Sequence, residues 1–497
     1  MIGYGAVRVR RTHSFLILRA PGMVLAASLL GGCAVTPPPE PALTLSPAWQ
    51  GGANEGEVLA REWWRQFSDP VLDALIAQGL AGNHDARLAV ARVAQARAGL
   101  GASQSQLWPS LALTGSRSDS RSGLPAAYKA GEPDTQASRL ALDLNWELDI
   151  FGAARAARRA AGRDLLAAEA GIDGARLMVS GEIARQYFIW RGARERLLLL
   201  EDILGSLRRT EALTRSRHRA GLASDLDVAL TSGETRNTEA LAPQLQTLVV
   251  ATRARLSVLL GQDPSQPLSL LDSVPVRGDW VDPAPVVTGQ PAGLLARRPD
   301  LRAAEQQLAA ESERLRGARA NYLPRFFLNA VFGGQDLSVN GVGLSPVRYS
   351  NVALAFSAPL FNAGRIRAGV EAQSAREQQA LIEYEKQILT AVEEVEVSLA
   401  AQQDERRRAE LLLAAVDARR QALRHGELLH RAGQIDLLQL QTLQRAMLAA
   451  DQSLVESHTQ RALNAIQLYK ALGGGWQPSP SHDQPADAPD TQTSKQS

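Results

Sequence analysis

The chain has 497 residues, with 54 basic against 52 acidic side chains, one cysteine and only 5% aromatics. Nearly balanced charge argues against a nucleic-acid partner, and a single cysteine excludes a disulfide framework or a Cys-rich metal site. No run of ~20 apolar residues is present, so no helix is expected to span a bilayer in the mature chain.

Residues 1–32 read as a signal peptide. Arg8, Arg10, Arg11 and Arg19 form a basic start, and residues 23–30, MVLAASLL, form a short apolar core. The segment ends in LLGGC, which places the only cysteine, Cys33, where a bacterial lipoprotein is cleaved and acylated. Loss of four arginines takes the formal charge from +2 to −2. Residues 33–58 then read as an acylated N-terminus and Pro-rich tether, with Pro37, Pro38, Pro39, Pro41 and Pro47. The far end, 477–497, is polar and Pro-rich and reads as a disordered tail.

Between the tethers the sequence repeats itself. Asp85, Arg87 and Pro109 match Asp300, Arg302 and Pro324 at an offset of 215. DIFGAAR (149–155) matches PLFNAGR (359–365) at 210, and HRAG (218–221) matches HRAG (430–433) at 212. Two copies of one unit are expected, at 59–264 and 290–476, joined by a linker at 265–289. Each copy has the same plan. A helix (83–107 or 299–322) stops near a proline and two strands follow. Then come a very long helix (153–217 or 363–430), a turn at HRAG and a second long helix.

In 139–149 apolar and polar residues alternate strictly. Leu140, Leu142, Leu144, Trp146 and Leu148 lie on one face, with Asp143, Glu147 and Asp149 on the other. The same period runs through 350–360, and 110–116 and 326–332 are the expected partners. A membrane-spanning strand needs ~9–11 residues, apolar toward lipid and polar toward a lumen. On that reading Asp143, Glu147 and Asp149 are lumen-facing acids. Four strands cannot close a barrel, and open edges in lipid cost several kcal/mol per unpaired group, so the chain must associate. Three chains would supply twelve strands, and two or four would also give an even count.

The long helices lack proline and would each run about 100 Å. Ile388, Val392, Val395 and Leu399, and Ile183, Tyr187, Trp190, Leu197 and Leu204, follow a coiled-coil 3–4 rhythm. Gly221 and Gly433 fit the left-handed position that ends a helix. No catalytic or cofactor motif is present: there is no HExxH, GxSxG, P-loop or Rossmann fingerprint, and the seven histidines form no ligand set. An enzyme is therefore not expected, nor is a cofactor or metal.

Five segments carry a family resemblance: LLGGC, WWRQFSDPVLDALI (63–76), RRPDLRAAE (297–305), APLFNAGRIRAGVEAQ (358–373) and LYKALGGGW (468–476). Together they resemble the TolC-like outer-membrane efflux proteins, in particular the NodT/OprM-like lipoprotein subunits of resistance–nodulation–division pumps. The resemblance implies a membrane α+β fold. Four transmembrane strands per chain close a twelve-stranded barrel as a homotrimer, above a periplasmic α-barrel. It also implies a passive exit duct in the outer membrane of a Gram-negative bacterium, lipid-anchored, docked by a periplasmic adaptor and an inner-membrane pump. By matching position, Arg219, Gly221, Leu222, Ser224, Arg431, Gly433 and Gln434 are the adaptor-contacting tips. Leu438, Thr442 and Arg445 occupy the gate, where the family often places Asp at the position of Thr442; Asp227 or Asp436 is the expected substitute acid. The alternatives are a duct for type I protein secretion and, in a different class, a coiled-coil tether or adaptor lipoprotein.

Overall fold

The computed structural model describes residues 37–51, 62–121, 123–128, 133–275, 280, 288–344 and 346–474. Cys33, the signal segment, part of the tether and the tail lie outside them. Met1–Glu40 and Pro41–Ser497 are separate units, and the described residues of the first, 37–40, hold no regular secondary structure.

In the second unit the first copy begins with a 3-10 turn, Trp63–Phe67, then α1 (Pro70–Gly82) and α2 (His84–Ser105). Asp69 caps α1 by accepting from the N–H groups of Val71 and Leu72, and Pro70 opens the first turn, where its missing N–H costs nothing. Strands β1 (Ser110–Ser120) and β2 (Thr135–Leu148) lead into α3 (Ala153–Arg219), α4 (Asp225–Glu239) and α5 (Ala242–Leu259). The second copy repeats this with α6 (Pro299–Ala320), β3 (Arg325–Val339), the two-residue β4 (Val342–Gly343) and β5 (Val347–Ser357). It ends with α7 (Arg365–Arg431) and α8 (Leu437–Ala471).

The duplication is visible in the element bounds. α3 and α7 have 67 residues each and start 212 positions apart. α4 through α5 spans the same 35 positions, shifted by 212, that α8 covers in one piece. A second unbroken helix is expected in both copies, yet the first is interrupted at Ala240–Leu241. The cause is Pro243, which offers no amide hydrogen and whose ring clashes with the preceding turn. The matching position in α8 is Val455. The helix starts also correct the 210-residue alignment of DIFGAAR with PLFNAGR. Gly152 and Gly364, both at φ 82°, precede the two long helices, so the second copy carries two extra residues just before its glycine.

The strands form one antiparallel sheet in the order β1–β2–β3–β5, with β4 folded back on β3. β2 and β3 are longer than the expected segments, whereas β5 ends at Ser357, short of the expected residue 360. The register puts Leu113 opposite Leu142, Leu142 opposite Phe332, and Phe326 opposite Phe356. Directly opposed residues share a face, so the apolar alternation of single strands becomes one apolar face across the sheet.

The main core lies midway along the long helices. Trp63, Phe67, Leu72 and Ile76 pack there against Ile183, Tyr187, Leu256, Leu301, Ile388, Val395, Ile466 and Tyr469. Ile183, Tyr187, Trp190, Ile388 and Val395 of the 3–4 rhythm are thus buried where both copies meet, with Val392 and Leu399 half-buried beside them, whereas Leu197 and Leu204 pack in a smaller cluster with Leu200 and Leu245. Part of the tether takes a more definite form: residues 42–50 are hydrogen-bonded to α7 and to the carbonyl of Gly289. Ala42 and Gln50 donate their N–H groups to Glu385 and Glu396, and buried Trp49 donates Nε1–H to the carbonyl of Gly289.

Candidate functional site

On the apolar face of the sheet the large side chains stand in the open. Leu111, Leu113, Leu140, Val352, Leu354 and Phe356 are exposed, Leu354 at 71% and Phe356 at 72%. The opposite face carries Ser116, Arg139, Asp143, Asn145, Glu147, Asn329 and Asn351. Its charged groups are paired. Asp143 accepts from the Thr114 hydroxyl at 2.5 Å and lies 4.0 Å from Arg139, whose guanidinium stacks over Tyr349. Glu147 is held bidentately by Arg325, at 2.7 and 2.5 Å. The expected row of three acids is therefore two. Asp149 lies past the end of β2 and accepts from the N–H groups of Ala154 and Arg155 and from the Arg155 guanidinium. Burial opposes its ionisation, but those donors hold its carboxyl below the usual range. It fastens the strand to the start of α3.

Both tips are Schellman turns. Leu222 N–H donates to Arg217 O and Gly221 N–H to His218 O; Gln434 and Gly433 repeat this with Leu429 and His430. Gly221 and Gly433 both sit at φ 73°, the left-handed region that the motif needs. Each turn is braced by a histidine: His218 Nδ1 lies 3.0 Å from Ala223 O, and His430 Nδ1 lies 3.1 Å from Ile435 O. Arg219, Gly221, Leu222, Ser224, Arg431, Gly433 and Gln434 are all exposed and lie together at the turns.

The candidate gate acids are already engaged. Asp227 closes a capping box with Ser224, whose backbone N–H and hydroxyl hold its carboxyl below the usual range. Asp436 caps α8 through the N–H of Gln439. Thr442 donates its hydroxyl to Leu438 O one turn back. The acid facing Arg445 is Glu234 on α4, at 3.5 Å and largely buried. Sequence reasoning passed over Glu234 because no periodic signal links α4 to α8. Beside Leu438 and Thr442, an apolar groove of about 510 Å³ runs between α7 and α8, lined also by His425, Gly426, Leu429, Ile435 and Leu443. A Cβ at Gly426 would meet the terminal methyl of Leu443, so the glycine leaves that side chain its place between the helices.

The motifs around the core fix geometry. Buried Arg298 of RRPD reaches Asp300 at 2.7 Å, Glu394 at 2.6 Å and the carbonyl of Ala471 at 2.9 Å, tying α6, α7 and α8 together. Tyr187 donates to Asp69 at 2.5 Å, and burial first, then that carboxylate, pushes its hydroxyl pKa far up. Tyr469 of LYKAL stacks on Trp63 at 5.2 Å and bonds Gln66.

A sheet with one open apolar face, joined directly to two 67-residue helices, is the protomer of an outer-membrane duct. A model of the outer membrane efflux protein family matches residues 75–262 and 291–474, and the chain belongs to that family, whose role is transport and not catalysis. It is 30% identical over 465 residues to the pyoverdine export outer membrane protein OpmQ of Pseudomonas aeruginosa, covering 92% of this chain and 96% of that one. It is also 30% identical to the outer membrane protein OprJ of the same species, over 91% and 95% of the two chains. Among solved structures, the outer-membrane channel OprN superposes with a TM-score of 0.76 at 30% identity, over 90% of this chain and 98% of that one. The Campylobacter jejuni CmeC channel shares the fold with a TM-score of 0.80 at 20% identity, over 89% and 96%.

Proposed function

We propose that three copies of this chain form a passive exit duct carrying small molecules across the outer membrane, as one component of a tripartite efflux pump. The observation that carries this is the sheet, whose outer long strands β1 and β5 have no partner on their outer edges among the described residues and whose apolar face is exposed. In lipid those edges must be closed, and three chains close them with twelve strands. The polar face then lines the lumen, with Asp143 and Glu147 already neutralised in part by Arg139 and Arg325. Residues 1–32 are removed, Cys33 is acylated, and the two repeats at 59–264 and 290–476 build the wall. The relatives named for pyoverdine export and efflux support an export role without fixing the cargo.

The turns around Gly221 and Gly433 are the docking tips for an adaptor, above an inner-membrane pump of the resistance–nodulation–division type. The gate lies just above, at Leu438, Thr442 and Arg445, and Glu234 supplies the acid that Thr442 lacks. In-cell photocrosslinking from Gln434→Cys tests this, since acylation consumes the native thiol. Capture of an adaptor of that pump class supports the reading. Capture of a protein-secretion adaptor moves the duct to secretion. No capture in actively exporting cells refutes the tip assignment.

A further inference from the structure

The strand register sorts the apolar face of the sheet into rows of directly opposed residues. Leu148, Phe326 and Phe356 form the row nearest the helices, and the three rows beyond it are apolar apart from Ser350. The next row, Gly115, Leu140, Gly334 and Arg348, brings the first charge, and the one after it holds Arg117, Ser138 and Asp336. From Leu148 to Leu140 is eight positions on β2, or ~27 Å of strand. At a tilt of ~45° that is ~20 Å along the membrane normal, close to the apolar band of ~25 Å in spanning barrels. The change of chemistry therefore falls at the headgroup level farther from the helices.

The charges there differ from those on the polar face, where Arg139 and Arg325 are both engaged. Arg348 and Arg117 are exposed, and neither guanidinium meets a carboxylate or a ring among the described residues. Beside Arg348 the row has no side chain at Gly334. One extra residue also lies between β4 and β5, since partner numbers sum to 681 on β4 (Ser338 with Gly343) and to 682 on β5 (Gln335 with Val347). The bulge and the missing side chain leave a cleft of about 380 Å³, bordered in part by Ser138, Leu140, Gly334, Asp336, Pro346 and Arg348. Asp336 and Arg348 occupy diagonal positions on one face, yet they do not pair with each other.

Resting on the membrane-spanning duct above, we propose that this cleft binds the phosphate-bearing headgroup of an outer-leaflet lipid, namely lipid A. Arg348 donates to the phosphate oxygens, in the forked geometry that a free guanidinium offers. Leu140 and the apolar rows below it receive the acyl chains. Asp336 would repel a bare phosphate, so the phosphate enters with its divalent counter-cation, which the carboxylate shares. Arg117 adds a second cation one row farther out, on the other flank of the sheet. The placement favours a lipid over a soluble phosphate. The cleft opens on the face that the apolar rows continue, at the height where a headgroup would lie, whereas a solute in the lumen meets the opposite face.

Lipid retention tests the site. The full chain is inserted into phosphatidylcholine nanodiscs doped with lipid A in magnesium, and native mass spectrometry counts the lipid A held per assembly. Wild type should retain lipid A and release the same lipid stripped of its phosphates. Arg348→Gln should lower retention about tenfold, and Arg348→Lys should restore part of it. Chelating the magnesium should lower retention by wild type but not by Asp336→Asn, where the repelling carboxylate is gone. Equal retention by Arg348→Gln, or of the dephosphorylated lipid, overturns the site and leaves the duct standing. Chelation that affects Asp336→Asn as strongly as wild type overturns the shared cation. Phosphatidylglycerol held as well as lipid A overturns the assignment to the outer leaflet. A wild-type chain that does not insert as an oligomer overturns the duct reading itself.

Discussion

The mid-helix core and the strand sheet treat apolar residues in opposite ways. In the core, Trp63, Ile183, Leu301 and Tyr469 come from both repeats and are fully enclosed within one chain. In the sheet, Leu113, Leu354 and Phe356 are just as apolar and stand open. The first region satisfies itself, so its stability is intrachain packing. The second, in the duct we propose, is complete only when lipid covers its face and a neighbour covers its edge. The same hydrophobic physics thus specifies a protomer in one place and an environment in the other.

The largest effect should come from Trp63→Ala, which empties an enclosed aromatic site. A loss of ~3–5 kcal/mol is expected in thermal or denaturant unfolding. Leu354→Ala, on the open face, should change the same measurement by less than about 1 kcal/mol. A comparable loss at both sites would break the contrast. Arg298→Ala should cost ~3 kcal/mol by orphaning Glu394 and the Ala471 carbonyl, and Arg298→Lys should restore only part, because one ammonium cannot reach three acceptors. Leu354→Arg should disfavour membrane assembly by ~2–4 kcal/mol, read as the fraction of inserted, heat-resistant oligomer, whereas Asn351→Arg on the other face should be tolerated.

The smallest effect is with pH. Burial would raise the carboxyl pKa of Asp300, but the hydrogen bond and charge of Arg298 outweigh it and leave the value below its ordinary 3.8. A depressed folded value means that this contribution is complete above the unfolded pKa and fades as pH falls through the folded one. The stability gap between wild type and Asp300→Asn should be constant near neutrality and shrink below about pH 4 in chemical unfolding. A gap that widens on acidification would contradict the pairing.

Much of the fold was legible because period and punctuation are local. Alternation in 139–148, the proline-free runs and the HRAG turns each reflect a few neighbouring residues, and the structure places strands, 67-residue helices and left-handed glycines there. The Schellman turns at Gly221 and Gly433 were legible for the same reason. The charge pairing near Arg445 was less so: Asp227 and Asp436 look available in sequence, but helix caps engage them, and the acid facing Arg445 comes from the other repeat. Asp149 likewise sits in phase with β2 yet belongs to the turn that starts α3.

The sequence by itself determined the duplication, the period of every element and the apolar face of each strand, since these follow from the order of side chains along one backbone. Only the tertiary structure decided which charges meet and that Arg298 joins three helices. It alone also made the strand faces align into one open surface with two free edges. Those outcomes depend on contacts between residues on different elements, some, such as Arg298 with Ala471 and Leu144 with Ala330, more than a hundred positions apart, which no local period encodes.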